Sequence, residues 1–146
     1  MVMGERYWLR TRDKSGLLVA MMRCLVGDAH ISFEGDLSRC GGITQIPGAS
    51  PEETDVLRRN TKAPLLDFVV VPLDAATLTI LVQEAEFPRR FTRNIVHTQI
   101  ERSGTLEFGA YDYFHPECVT AGPGVPVAVL EDLVRKYAIA AFWPVS

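Results

Sequence analysis

Apolar positions change their period several times along the chain, and each change marks an element. Tyr7, Trp8, Leu9 and Thr11 are strand formers followed by a turn, which predicts a first strand. Leu17, Leu18, Met21, Cys24 and Leu25 recur at helical spacing and predict a helix with one apolar stripe. Asp13 stands where its carboxylate can accept the first free N–H groups of that helix, and Gly27 where a left-handed residue can end it. From residue 30 to 37 the period falls to two. Ile31, Phe33 and Leu37 point one way, and His30, Ser32, Glu34 and Asp36 the other.

Residues 39–50 are glycine-rich and aperiodic, as in a loop. Ser50, Pro51 and Glu53 have the form of a capping box with proline at the first helical position, which predicts a short helix ending near Asn60. The run 65–71 is apolar at nearly every residue, as in a central strand covered on at least one face. Asp74 is placed to cap a second long helix with Leu78, Leu81 and Val82 inward and Pro88 just past its end. Residues 94–102 and 105–111 read as a hairpin around Ser103-Gly104. A loop over 112–117, a short strand at 118–120, a helix opened by Pro126 and a last strand near 139–143 complete the chain.

The long elements up to residue 102 run strand, helix, strand, strand, helix, strand. That order predicts an α+β chain with a ferredoxin-like split β-α-β antiparallel sheet and its helices on one face. Residues 103–146 extend it by a hairpin strand and a helix, making a single domain over 1–146. A length of 146 residues with 47% hydrophobic and 23% charged side chains suits one globular unit. A net charge of −3 gives no general attraction for phosphate backbones, which argues against nucleic acid as a partner. Cys24, Cys40 and Cys118 follow no disulfide spacing, and neither a signal peptide nor an apolar run of bilayer length is evident. The expectation is a cytoplasmic protein with reduced thiols and no membrane contact.

The block Thr11-Arg12-Asp13-Lys14-Ser15-Gly16-Leu17-Leu18, followed by a helix and Ala29-His30-Ile31, resembles the start of an ACT domain. The likeness lies mainly in residues 6–37. These regulatory domains share the element order above, and many bind amino acids at the first strand-to-helix turn, often across a dimer interface. The resemblance implies a ligand-binding turn at Asp13, Lys14, Ser15 and Gly16 and a homodimer.

Three other segments carry candidate chemistry. The polar row His30, Ser32, Glu34 and Asp36 has the side chains of a cation or acid–base site, yet on a sheet with helices on one side it is expected to face water. The segment 108–118 gathers Tyr111, Tyr113, Phe114, His115 and Cys118. Aromatics with polar handles suit recognition, and Tyr111, Tyr113 and His115 are candidate ligand contacts. The basic run Arg89, Arg90, Arg93 around Phe91 suits either a solvated loop or an anion contact. No phosphate loop, serine elbow or Cys-x-x-Cys motif occurs. The leading expectation is a non-enzymatic binding or regulatory module for a small molecule or a protein partner, without cofactor or metal. The alternatives are a small enzyme using Cys118 with His115 or His97, and an immunity- or inhibitor-type interaction protein.

Overall fold

The computed structural model describes residues 5–40, 42–85 and 93–146. The elements are β1 (Tyr7–Thr11), α1 (Lys14–Leu25), β2 (Ala29–Gly35), β3 (Asp67–Leu73), α2 (Ala75–Ala85), β4 (Ile95–Arg102), β5 (Thr105–Ala110), β6 (Val119–Ala121), α3 (Val127–Arg135) and β7 (Ile139–Pro144). Short 3₁₀ turns at Leu37–Arg39 and Ile43–Gln45 lie in the long β2–β3 connection. The strands form one antiparallel sheet in the order β3-β2-β4-β5-β6-β1-β7. The chain is therefore α+β with an antiparallel sheet, as its periodicities predict.

The pairing of β1 departs from the ferredoxin-like expectation. A split β-α-β sheet sets β1 in the middle beside β3, but here β2 lies between β3 and β4. β1 pairs instead with β6 and β7. Residues 103–146, expected as an extension, thus supply both neighbours of the first strand. Element order alone does not choose between these pairings; the partners offered by the C-terminal third do.

Local signals explain the helices. The Asp13 carboxylate accepts the Gly16 N–H at 3.0 Å and caps α1, and Asp74 accepts from Ala76 and Thr77 at the start of α2. Gly27 beyond α1 has φ +99°, a conformation that costs glycine little. All three helices contribute to one apolar cluster against the sheet, with Leu17, Leu18, Met21, Leu81, Leu130 and Leu133 meeting Leu9, Ile31, Phe33, Val71, Ile100 and Phe108.

The other sheet face divides in two. Beyond β3-β2-β4, the 50–66 segment lies over the sheet, with Val56 and Leu57 against Phe68, Val70 and Leu106 in a second apolar cluster. This corrects the helix expected over 50–60, because no helix forms there. Ser50 makes an isolated bridge to Val70, Thr54 Oγ1 accepts from Val56 and Leu57, the Arg59 N–H goes to Glu53, and those of Arg58, Asn60 and Thr61 are taken by side chains of the sheet. Tertiary acceptors win over a good local cap. Beyond β6-β1-β7 the outer face carries Arg10, Ala141 and Trp143, which are exposed among the described residues.

Candidate functional site

Two places gather polar side chains: a groove between α1 and α3 on the helical side, and a buried row on the outer sheet face.

The groove has a volume of about 700 Å³. Its mouth at the start of α1 is formed by Asp13, Ser15 and Gly16, and its walls by Val19, Ala20, Arg23 and Cys24 of α1 and Val129, Asp132, Leu133 and Lys136 of α3. The turn expected to bind a ligand therefore lines a cavity. Its floor is apolar and its rim charged. Asp132 and Lys136 pair at 2.8 Å, and hydrogen bonding to Lys136 holds the Asp132 carboxyl below the usual carboxylate range. The Ser15 hydroxyl oxygen is buried and has no hydrogen-bond partner among the described residues. A Cβ on Gly16 would approach the Asp13 carboxylate to 2.4 Å, so a side chain there would have to displace the capping carboxylate. Burial raises the Cys24 thiol, with Arg102 opposing and Glu107 reinforcing the shift, so this thiol presents an apolar wall.

The outer row corrects another expectation. Ser32 and Glu34 do not face water; they are 2% and 1% exposed, beneath the 50–66 segment. The Glu34 carboxylate accepts the backbone N–H of Asn60 at 2.8 Å and of Thr61 at 3.2 Å. Its cross-strand neighbour His97 is held at both ring nitrogens. The Asp112 N–H donates to Nδ1, so Nδ1 carries the lone pair, and Nε2–H donates to Thr61 Oγ1 at 2.8 Å. Gln99 Oε1 accepts from Ser32 Oγ and the Arg58 N–H, while its amide donates to the Tyr111 hydroxyl at 3.0 Å. Gly109 lies directly beneath Tyr111; a Cβ there would meet the ring and its hydroxyl at 2.8–3.0 Å. His30, at the end of the row, pairs with Glu101 at 2.8 Å, and Asp36 turns away to Ser38 and Arg39.

The structure thus separates the sequence candidates. Asp13, Ser15 and Gly16 share the groove. Tyr111 belongs to the buried row on the opposite face, with its ring 5.7 Å from His97. Tyr113 is 46% exposed, and the His115 ring accepts the nearby Glu117 N–H while its backbone N–H donates to Tyr111 O; neither side chain reaches the buried row to which Tyr111 belongs. Three successive residues, Asp112, Tyr113 and Phe114, hold φ between +52° and +61°, a left-handed turn that is strained for side chains of this size. It is held by the Tyr113 N–H on Val96 O and by Phe114 buried against Phe108. Among the described residues no three His, Cys, Asp or Glu side chains group as a metal centre. Arg89, Arg90 and Phe91 of the basic run lie outside the described residues; Arg93 is exposed.

The Cys118 thiol is raised above its ordinary value, first by burial, then by the Asp112 and Glu117 carboxylates and by donating to Asp112. The neutral thiol is favoured, the reverse of what a nucleophile needs. Iodoacetamide at pH 7.5, with labelling at Cys118 followed by peptide mass spectrometry, should react more slowly there than with a free cysteine peptide. Asp112→Asn should speed it several-fold, because it removes one of the charges opposing the thiolate. A Cys118 rate above that of the free peptide would contradict this assignment.

The outer-face residues Trp8, Arg10 and Trp143 escape sequence reasoning. Trp8 and Trp143 are direct cross-strand partners on β1 and β7 and belong to neither apolar cluster. The available signal was alternation within Tyr7-Trp8-Leu9-Arg10, where Leu9 alone is fully buried. The chain matches no family model, no curated protein sequence and no solved structure.

Proposed function

We propose that the chain is a non-enzymatic binding module that takes a small molecule in the groove between α1 and α3. The observation that carries this reading is the coincidence of the Asp13–Ser15–Gly16 turn with a cavity of about 700 Å³. Drug-sized ligands occupy cavities of roughly 300–1,000 Å³ with apolar walls and a few placed polar groups. Here the apolar part is Val19, Ala20, Val129 and Leu133, and the polar part is Asp13, Arg23, Lys136 and the unpartnered Ser15 hydroxyl. The chemistry suits an amphipathic molecule carrying charges of both signs, an amino acid among them. The raised Cys118 thiol and the fully engaged His97 ring weigh against the thiol-enzyme alternative.

Thermal shift against a panel of amino acids and metabolites, with calorimetry on the hits, tests the reading. A compound present at a hundredfold its Kd stabilises the fold by ~2.7 kcal/mol and raises Tm by several degrees. Ala20→Phe, which fills the groove from the α1 side, should abolish that rise. Ser15→Ala should weaken it while leaving the unliganded Tm in place. If no compound shifts Tm, or if hits bind Ala20→Phe unchanged, the groove is not the site.

A further inference from the structure

The two edges of the sheet are treated differently. At β3 the edge is covered: Ser50 N–H donates to Val70 O at 2.9 Å, and Val70 N–H donates to Ser50 O at 2.7 Å. At β7 no strand lies beyond, among the described residues. β7 reads Ile-Ala-Ala-Phe-Trp-Pro, without a charge, and Ala140, Ala141 and Trp143 are exposed. Sheets protect free edges with charges, prolines, bulges or covering segments, because a bare edge pairs with any incoming strand. β7 has a register shift opposite Arg10/Thr11 at one end and Pro144 at the other, so its uncharged pairing stretch is Ala141–Trp143. Val145 N–H donates to Arg6 O, so alternate N–H groups face β1 and that of Phe142 faces the free side.

Beside this edge lies the open outer face. Trp8 and Trp143 stand side by side there, the latter 38% exposed, and Arg10 sits 5.8 Å from the Trp143 ring centre. Arg12 lies 5.6 Å from the ring of Tyr137, which is 70% exposed with φ +62°. Neither arginine has an ion pair among the described residues, although the chain as a whole carries −3. Large exposed aromatics beside arginine are the residues that dominate protein recognition.

We infer that β7 takes an extended acidic segment of a partner protein, added as a further antiparallel strand with its carboxylates over Arg10 and Arg12. Main-chain bonds to the free edge would supply affinity, and the Trp8–Trp143 pair with Arg10 would supply selectivity. A second copy of this chain fits less well, since β7 itself has no acidic side chain to meet Arg10.

The chain's two tryptophans are Trp8 and Trp143, so its intrinsic emission reports on this face. The probes are fluorescein-labelled (Val-Glu)₄ and (Val-Lys)₄, read by anisotropy with label and by tryptophan emission without it. The acidic peptide should bind at least tenfold tighter than the basic one and shift the emission. Arg10→Glu should reverse that preference, with its melting curve confirming the fold, and Trp143→Ala should weaken both. The groove-filling Ala20→Phe should leave peptide binding unchanged, which separates this surface from the ligand groove. No binding of the acidic peptide up to 1 mM, a preference unmoved by Arg10→Glu, an emission shift produced by oligo-dT instead, or a dimer in sedimentation that Trp143→Ala dissolves would each overturn the assignment.

Discussion

Glu34→Ala is expected to lower the unfolding free energy by about 3 kcal/mol, because each of its two backbone hydrogen bonds involves a charged acceptor worth ~1.5–3 kcal/mol. The carboxylate is 1% exposed and holds the N–H groups of Asn60 and Thr61 against the sheet. Without it two N–H groups on the inner side of the covering segment lose their acceptors, and the desolvation of each must be recovered by lifting the segment into water. The loss should therefore appear locally as well as globally. Amide exchange at Asn60 and Thr61 should accelerate by orders of magnitude, while amides in α1 follow the global stability alone. Glu34→Gln should cost about half as much. It keeps one acceptor oxygen and turns an NH₂ toward the second N–H. Asp36→Ala, two residues on, should barely move the denaturant midpoint, since Asp36 is exposed and its carboxylate meets only the exposed Ser38 and Arg39 among the described residues. Equal effects at positions 34 and 36 would mean that the row does not hold the covering segment.

That contrast also shows what the sequence could and could not reveal. Period two over residues 30–36 places His30, Ser32, Glu34 and Asp36 on one face; the structure keeps the first three in one row of β2, while Asp36 lies past the end of the strand. What lies upon it depends on residues 50–66, whose local signals favour a helix. Ser50, Pro51 and Glu53 make a sound helix start, but the N–H groups that follow are taken by acceptors 26 to 41 residues away in sequence. No local pattern carries that information. The same holds for β1. Its strand character is plain in Tyr7-Trp8-Leu9, yet its neighbours come from residues 119–121 and 139–144, and only the folded chain brings them together. The Asp13–Gly16 turn was legible because a capping aspartate and a close-packed glycine are local features. The groove it opens into was not, since its far wall is α3. Tyr111 was picked out for its aromatic neighbourhood, but its role follows from Gly109 and Gln99, which admit the ring and bind its hydroxyl.

Gly35→Ala should be as costly as Glu34→Ala, for a different reason. A Cβ at position 35 would lie 2.1 Å from Asn94 O and 3.0 Å from Ile95 Cα, and both are backbone atoms of the approach to β4. A flexible side chain could swing aside, but here the strand itself must move. The site coincides with the shift in register between β2 and β4 at Glu34/Gly35, where the Asp36 N–H also donates to Asn94 O at 2.9 Å. Pushing the start of β4 away breaks that bond and displaces Ile95, which is buried in the main core. It also moves His97, two residues on, whose ring nitrogens join Thr61 to Asp112. Overpacking typically costs 1–3 kcal/mol, and a clash with backbone belongs at the upper end, about 3 kcal/mol or a fall in Tm of roughly 10 °C. Gly42→Ala is the control. Nothing lies within 4 Å of a Cβ there and its φ is ordinary, so the same substitution should leave stability within about 0.5 kcal/mol of the parent. If Gly35→Ala melts with Gly42→Ala, β4 is free to yield at Asn94. Glu34 and His97 would then sit on a strand pair looser than its hydrogen bonds imply.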